Sequence, residues 1–143
     1  MNRLEKYNRF DLVNKVYQRS TMDKIHCLKN DIITSPIVID IDPITLCNLS
    51  CPHCISSSLL NQKSFSRDKL IELSNDFIEL KIKAVIITGG GEPLLNKYIS
   101  EFICKLFTNN IAVGLVTNGI CIDNYLEMLA NRDDLKAVLI DII

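Results

Sequence analysis

Apolar positions recur along this chain in two alternating rhythms, helical steps of three or four and short continuous runs. Over residues 2–20, Leu4, Tyr7, Phe10, Val13, Val16 and Tyr17 recur at helical steps with Arg, Lys, Asn and Asp between them. That pattern predicts a helix packing by one face. Residues 21–35 carry no clear period. Pro36 breaks any helix and opens Ile37-Val38-Ile39-Asp40-Ile41, so the first strand is expected over 37–42. Residues 56–64 read as an irregular connection. Ser66 then suits an N-cap and Asp68 a first helical turn, with Leu70, Ile71, Phe77 and Ile78 as the apolar face.

The run Ala84-Val85-Ile86-Ile87 is continuously apolar, as expected of a strand buried on both faces. It stops at Thr88-Gly89-Gly90-Gly91-Glu92-Pro93, which no helix or strand interior tolerates well. A helix over 96–108 is expected next, with Ile99, Phe102, Ile103 and Leu106 inward. A strand over 111–116 follows, stopped by Thr117-Asn118-Gly119. Asp123 suits the cap of a helix over 124–131, and a last strand is expected over 135–143. Strands alternating with helices predict an α/β fold with a parallel sheet and right-handed crossovers. In such units the loops after the strands emerge at one end of the sheet. The loop after strand one, the glycine run and Thr117-Asn118-Gly119 are therefore expected on one rim.

Composition narrows the class. With 143 residues, 48% apolar and 23% charged, the chain has room for one globular core. A net charge of -1 gives no basic surplus for nucleic acid. Residues 1–30 carry seven Lys/Arg against three Asp/Glu and the remainder nine against fourteen, local balances of +4 and -5, and the terminal +4 suits a solvated helix face. No apolar run approaches the ~20 residues of a bilayer span, and the N-terminus lacks the apolar segment of a signal peptide. A cytoplasmic protein is expected, with its cysteines reduced.

Three of the six cysteines fall in Cys47-Asn48-Leu49-Ser50-Cys51-Pro52-His53-Cys54. Thiolates this close in sequence can converge on one metal centre at little closure cost. Structural zinc would need a fourth Cys or His ligand. His53 adjoins Cys54, and adjacent residues in a tight loop rarely reach one tetrahedral ion; His26 is a distant second option. A [4Fe–4S] cluster usually takes four Cys, so three leave one iron open to an external ligand. Cys27, Cys104 and Cys121 lie far from the triplet in sequence and read as small buried hydrophobes. Gly89, Gly90 and Gly91 fit neither nucleotide-binding glycine motif, yet let a ligand approach the backbone closely.

In combination, the C-x3-C-x2-C loop after strand one, Gly-Gly-Glu-Pro after strand two and Thr-Asn-Gly after strand three resemble the radical S-adenosylmethionine (SAM) superfamily over about residues 37–141. The resemblance implies an incomplete parallel (β/α) barrel of the TIM-like type, about four strands of the family's six, with an N-terminal helical extension. It implies that Cys47, Cys51 and Cys54 each bind one iron of a [4Fe–4S] cluster, and that SAM chelates the fourth. It also implies that His53 lies beside the adenine, where the family usually places an aromatic side chain. Gly90, Gly91 and Glu92 would offer backbone carbonyls to the SAM amino group, with Thr117 and Asn118 on the same rim. For Asn118-Gly119 a plain turn with positive φ is an equal alternative.

The activity implied is reductive cleavage of SAM to a 5′-deoxyadenosyl radical, which takes a hydrogen atom from a substrate. That substrate is left open between a peptide and a small molecule, in peptide modification or cofactor maturation. An electron donor such as flavodoxin or ferredoxin is implied as a partner. The alternative expectation is an iron–sulfur-binding fragment or split subunit, catalytically incomplete until a partner closes the barrel. The division expected is a helical extension over 1–35 and the N-terminal portion of the core domain over 36–143, truncated after strand four. Asp141 matches the family's fourth strand only weakly.

Overall fold

The computed structural model describes residues 19–130 and 135–140. The helix expected over 2–20 falls outside them except for its last two residues, as does Asp141. Two compact units divide the chain, Met1–Ile37 and Val38–Ile143. The first holds helix α1 (Arg19–Lys29), where no period was evident. Met22, Ile25 and Leu28 are only three steps of a narrow stripe, and Met22 and Leu28 stay exposed, so burial leaves little mark on the sequence. Asp31, at φ 59°, ends the helix, with its N–H donating to Leu28 O and that of Ile32 to Cys27 O. Lys24 Nζ donates to the carbonyl (2.6 Å) and hydroxyl (3.0 Å) of Ser35, tying the following segment to the helix.

The second unit holds strands β1 (Val38–Ile41), β2 (Ala84–Ile87), β3 (Ala112–Thr117) and β4 (Leu135–Ile140). They are hydrogen-bonded in sequence order, and every pair is parallel. Helices α2 (Arg67–Glu79), α3 (Ile99–Thr108) and the single-turn α4 (Leu126–Leu129) lie between them. Because each strand neighbours the next, every right-handed crossover steps the same way and puts its helix on one face. This is the construction of a (β/α) barrel wall rather than a doubly wound sheet. The α/β architecture expected from the sequence is the one formed.

Burial corrects one expectation. Val85 and Ile87 of β2 are fully buried while Ala84 and Ile86 are half-buried, and β3 alternates likewise. Among the described residues of this unit, α2 and α3 pack side by side: Phe77 of α2 and Phe102 of α3 meet edge to face, centroids 6.4 Å apart. The apolar run of β2 therefore reflects one packed face and one facing away from the helices.

Ser66 caps α2 as expected, its hydroxyl accepting from Lys69 N at 3.2 Å. Helices α2 and α3 end on Lys81 (φ 56°) and Asn110 (φ 57°), and the next residues, Ile82 and Ile111, plug into the core. Asp123 caps nothing. The chain leaves Gly119 (φ 80°) into a 3-10 turn, Ile122–Tyr125, and only then forms α4, neither having a side-chain cap. The helix expected over 124–131 is thus shorter and less regular. No helix among the described residues is long and apolar enough to cross a membrane.

Candidate functional site

The loop leaving β1 is closed at its base by residues the motif does not include. Pro43 and Ile44 are buried, Ile44 bridges antiparallel to Ser64, Thr45 N donates to Lys63 O (2.8 Å), and Phe65 N to Pro43 O (3.0 Å). Residues 46–62 are thereby cinched into a compact loop. Asn96, 1% exposed, braces that base from the end of the turn that follows the glycine loop. The two hydrogens of its Nδ2 are shared among Pro43 O (3.1 Å), Ser64 Oγ (3.0 Å) and Phe65 O (3.2 Å), and its Oδ1 accepts from Tyr98 N (2.9 Å). Nothing in the sequence marks this asparagine apart from its closeness to the glycine run. Asn96→Ala should cost about 2–4 kcal/mol, because it strips several buried bonds at once. A lower urea midpoint at unchanged m-value is the expected measurement.

Cys47, Cys51 and Cys54 are all free thiols, half-buried, in the cinched loop. Cys54 N donates to Cys51 O and Ser57 N to Cys54 O, both at 3.2 Å, so the last two thiols sit on consecutive tight turns. The Cys47 sulfur receives Leu49 N (3.4 Å) and Asn118 Nδ2 (3.9 Å), donors that suit a thiolate. Among the described residues no three Cys, His, Asp or Glu side chains are gathered closely enough to hold a metal ion. The thiols share one loop without forming a closed donor set. In kind and number they still fit a thiolate-held cluster: three reduced cysteines, and N–H donors already aimed at one sulfur. His53 is exposed on the same loop. Cys121, remote in sequence, is brought to it: Asn48 Nδ2 lies 3.7 Å from its sulfur.

The glycine loop is laid against the cysteine loop backbone to backbone. Thr88 N donates to Ile41 O (3.0 Å) and Glu92 N to Leu46 O (2.8 Å). Gly90 N donates to Asp42 Oδ2 (2.6 Å). Asp42 is exposed, and its carboxylate serves this loop. Among the described residues the carbonyls of Gly90 and Gly91 accept no hydrogen bond, whereas that of Glu92 accepts from Leu95 N (3.0 Å).

Glu92 is 1% exposed, and its carboxylate points into the protein. Oε1 accepts from Leu94 N (3.0 Å) and Thr117 Oγ1 (2.7 Å), and Oε2 from Asn118 N (2.8 Å). Thr117, 2% exposed, also accepts from Gly119 N at 3.1 Å. Asn118 Nδ2 donates to Asn48 Oδ1 (2.8 Å), which returns the chain of bonds to the cysteine loop. The three rim loops are thus one connected structure.

Tyr125 Oη adds a strut, donating to Leu94 O (2.8 Å). Burial pushes the Tyr125 phenol above the ordinary tyrosine range, with Cys121 and Glu92 adding to the shift. A folded pKa raised above the unfolded one gives stability that is present below the unfolded pKa and lost as pH rises through the folded one. Tyr125→Phe should therefore be less steeply destabilised than the parent above pH ~10, read as the difference between their alkaline melting curves.

A family model described as the Radical SAM superfamily matches residues 41–142. Among curated proteins, a GTP 3′,8-cyclase of Helicobacter pylori is 39% identical over 93 residues, covering 59% of this chain and 28% of the relative. A GTP 3′,8-cyclase of Synechocystis is 33% identical over 91 residues, covering 61% of this chain and 28% of the relative. The chain thus spans under a third of the length of these relatives. Among solved structures, Streptococcus suis SuiB bound to the precursor peptide SuiA superposes with a TM-score of 0.67 at 20% identity, covering 84% of this chain and 28% of SuiB. SuiB bound to S-adenosylmethionine gives a TM-score of 0.63 at 22% identity, with the same coverage of both chains. At that identity the likeness is one of fold.

Proposed function

The chain belongs to the radical SAM superfamily, and from that premise we propose that it binds a [4Fe–4S] cluster through Cys47, Cys51 and Cys54 and holds SAM against it. The observation that carries this reading is the bonding of the cysteine, glycine and Thr-Asn-Gly loops into one rim at the C-terminal ends of parallel strands. When bound, the cluster and SAM supply one-electron reductive cleavage ending in 5′-deoxyadenosine, methionine and a substrate relieved of a hydrogen atom. The chain's own residues bind and orient. Leu49 N–H and Asn118 Nδ2 steady the Cys47 thiolate, and the open Gly90 and Gly91 carbonyls suit an amino-group donor. His53, exposed on the loop, is available to the adenine. No side chain here has to move a proton. A cytoplasmic setting and a small one-electron donor such as flavodoxin or ferredoxin go with this reading, since the thiols must stay reduced. Residues 36–143 would be the cofactor-binding portion and 1–35 a helical extension.

For the substrate, GTP is favoured over a peptide, because identity to the GTP 3′,8-cyclases is 33–39% against 20% to peptide-bound SuiB. A second reading keeps the cluster but leaves turnover to an assembly that supplies further strands. The exposure of Leu139 and Ile140 on the edge strand β4 favours it. One experiment tests all three. The protein is reconstituted anaerobically, assayed for iron and sulfide, then reduced with dithionite in the presence of SAM, with and without GTP. About four irons per chain with 5′-deoxyadenosine is the expected result. Four irons without it favours the second reading, and one zinc without sulfide overturns the cluster. A 3′,8-cyclised guanine nucleotide would support GTP; 5′-deoxyadenosine unaffected by GTP would count against it.

A further inference from the structure

Glu92 stands in the motif as a residue of the SAM site, yet its carboxylate is buried and both oxygens are engaged within the protein. Oε1 takes Leu94 N and Thr117 Oγ1, Oε2 takes Asn118 N, and the side chain is 1% exposed. Three donors converge on a carboxyl group buried away from water, an arrangement that holds the side chain in one place. Each of these donors leads to a different part of the rim. Leu94 belongs to the turn that follows the glycine loop. Thr117 is the last residue of β3. Asn118 reaches Asn48 Oδ1 (2.8 Å) and the Cys47 sulfur (3.9 Å) by its side-chain nitrogen. On the other side, Glu92 N is fixed to Leu46 O, the residue before Cys47.

We propose that Glu92 is a positioning residue, a buried latch on Thr117 and Asn118 that holds the Gly90 and Gly91 carbonyls in fixed relation to Cys47 and so sets the affinity for SAM without touching it. This rests on the cluster and SAM reading above and deepens it. If the latch opens, the cysteine loop keeps its own base, Pro43–Thr45 against Lys63–Phe65. Cluster uptake and SAM affinity should then separate.

Thr117 offers the cleanest handle. Thr117→Val keeps shape and burial but removes the hydroxyl, whereas Thr117→Ser keeps the hydroxyl and removes a methyl. In cluster-loaded protein, titration of SAM followed by its perturbation of the reduced cluster's EPR signal should show Thr117→Val weakened about tenfold. Thr117→Ser should stay within about twofold. Iron content should be unchanged in both. Ile111→Val, at the buried residue just before β3, is the control for general destabilisation and should leave SAM affinity alone. In the metal-free protein, amide exchange at Asn118 should quicken in Glu92→Gln and Thr117→Val but not in Thr117→Ser. Equal SAM affinity in Thr117→Val and the parent overturns the latch, as does equal damage by Ser and Val, which would make the effect one of packing. Failure of the unaltered protein to take up iron overturns the underlying reading instead, and the amide-exchange arm still reports on the latch.

Discussion

Cys51→Ser is expected to abolish cluster binding rather than weaken it. Of four irons in a cubane cluster, three would be held by Cys47, Cys51 and Cys54, and the fourth is left to SAM. Removing one thiolate leaves two protein ligands. The serine hydroxyl is a hard, weakly acidic donor, where soft thiolates are what hold iron–sulfur clusters. Iron should fall from about four per chain to below one, and 5′-deoxyadenosine should fall below detection. The fold should survive, because Cys51 is half-buried in the loop tip and outside the apolar core. Far-ultraviolet circular dichroism and the melting midpoint of the metal-free protein should match those of the parent. Cys104→Ser is the matched control: a free, half-buried thiol on α3, away from the rim loops, whose loss should leave iron content unchanged. If Cys51→Ser retains a full complement of iron and sulfide, the three-cysteine assignment fails.

The parts of this molecule legible in its sequence are those where one residue type answers one local demand. Ser66 before an apolar-periodic segment, Val85 and Ile87 in a short run, and three glycines after it each announced their element, and the parallel rim followed from the alternation. The parts that were not legible depend on partners distant in the chain. Asn96 gains its meaning from Pro43, Ser64 and Phe65, some thirty to fifty residues away. Asp42 reads as a charge near a strand end until Gly90 N is laid on it. Cys121 was grouped with the bland cysteines on its sequence distance, and β3 carries it back beside Asn48. Helix α1 was missed because its stripe is barely buried. The cap assigned to Asp123 failed because Gly119 turns the chain before a regular helix can start. Glu92 is the instructive case, since the motif names it for the SAM site while its side chain faces the protein.

Gly91→Ala should be the most damaging single-methyl change in the chain. A Cβ at Gly91 would lie 2.2 Å from Leu46 O, 2.6 Å from Leu46 C and 2.8 Å from Leu46 N. Real Cβ atoms do not approach this closely, and the obstacle is backbone, which no rotamer change can clear. The demand is for space and not for dihedral freedom, since Gly119 is the one glycine with positive φ. Relief requires separating the glycine loop from Leu46, which breaks the Glu92 N to Leu46 O bond and displaces the residue next to Cys47. Overpacking against backbone and a lost backbone hydrogen bond together should cost about 3 kcal/mol. Cluster uptake should fall with stability, because the loop that moves carries the first ligand. Gly90→Ala provides the contrast. Its nearest obstacle is Asp42 Oδ2 at 3.1 Å, the end of an exposed side chain, and the next atoms are at 3.8 Å. That change should cost under ~1 kcal/mol and leave iron content intact. Chemical denaturation of the metal-free variants and iron analysis after reconstitution measure both effects. Equal tolerance at the two positions would mean that the loops part easily, and that the glycine run serves ligand approach rather than the packing of one loop upon the other.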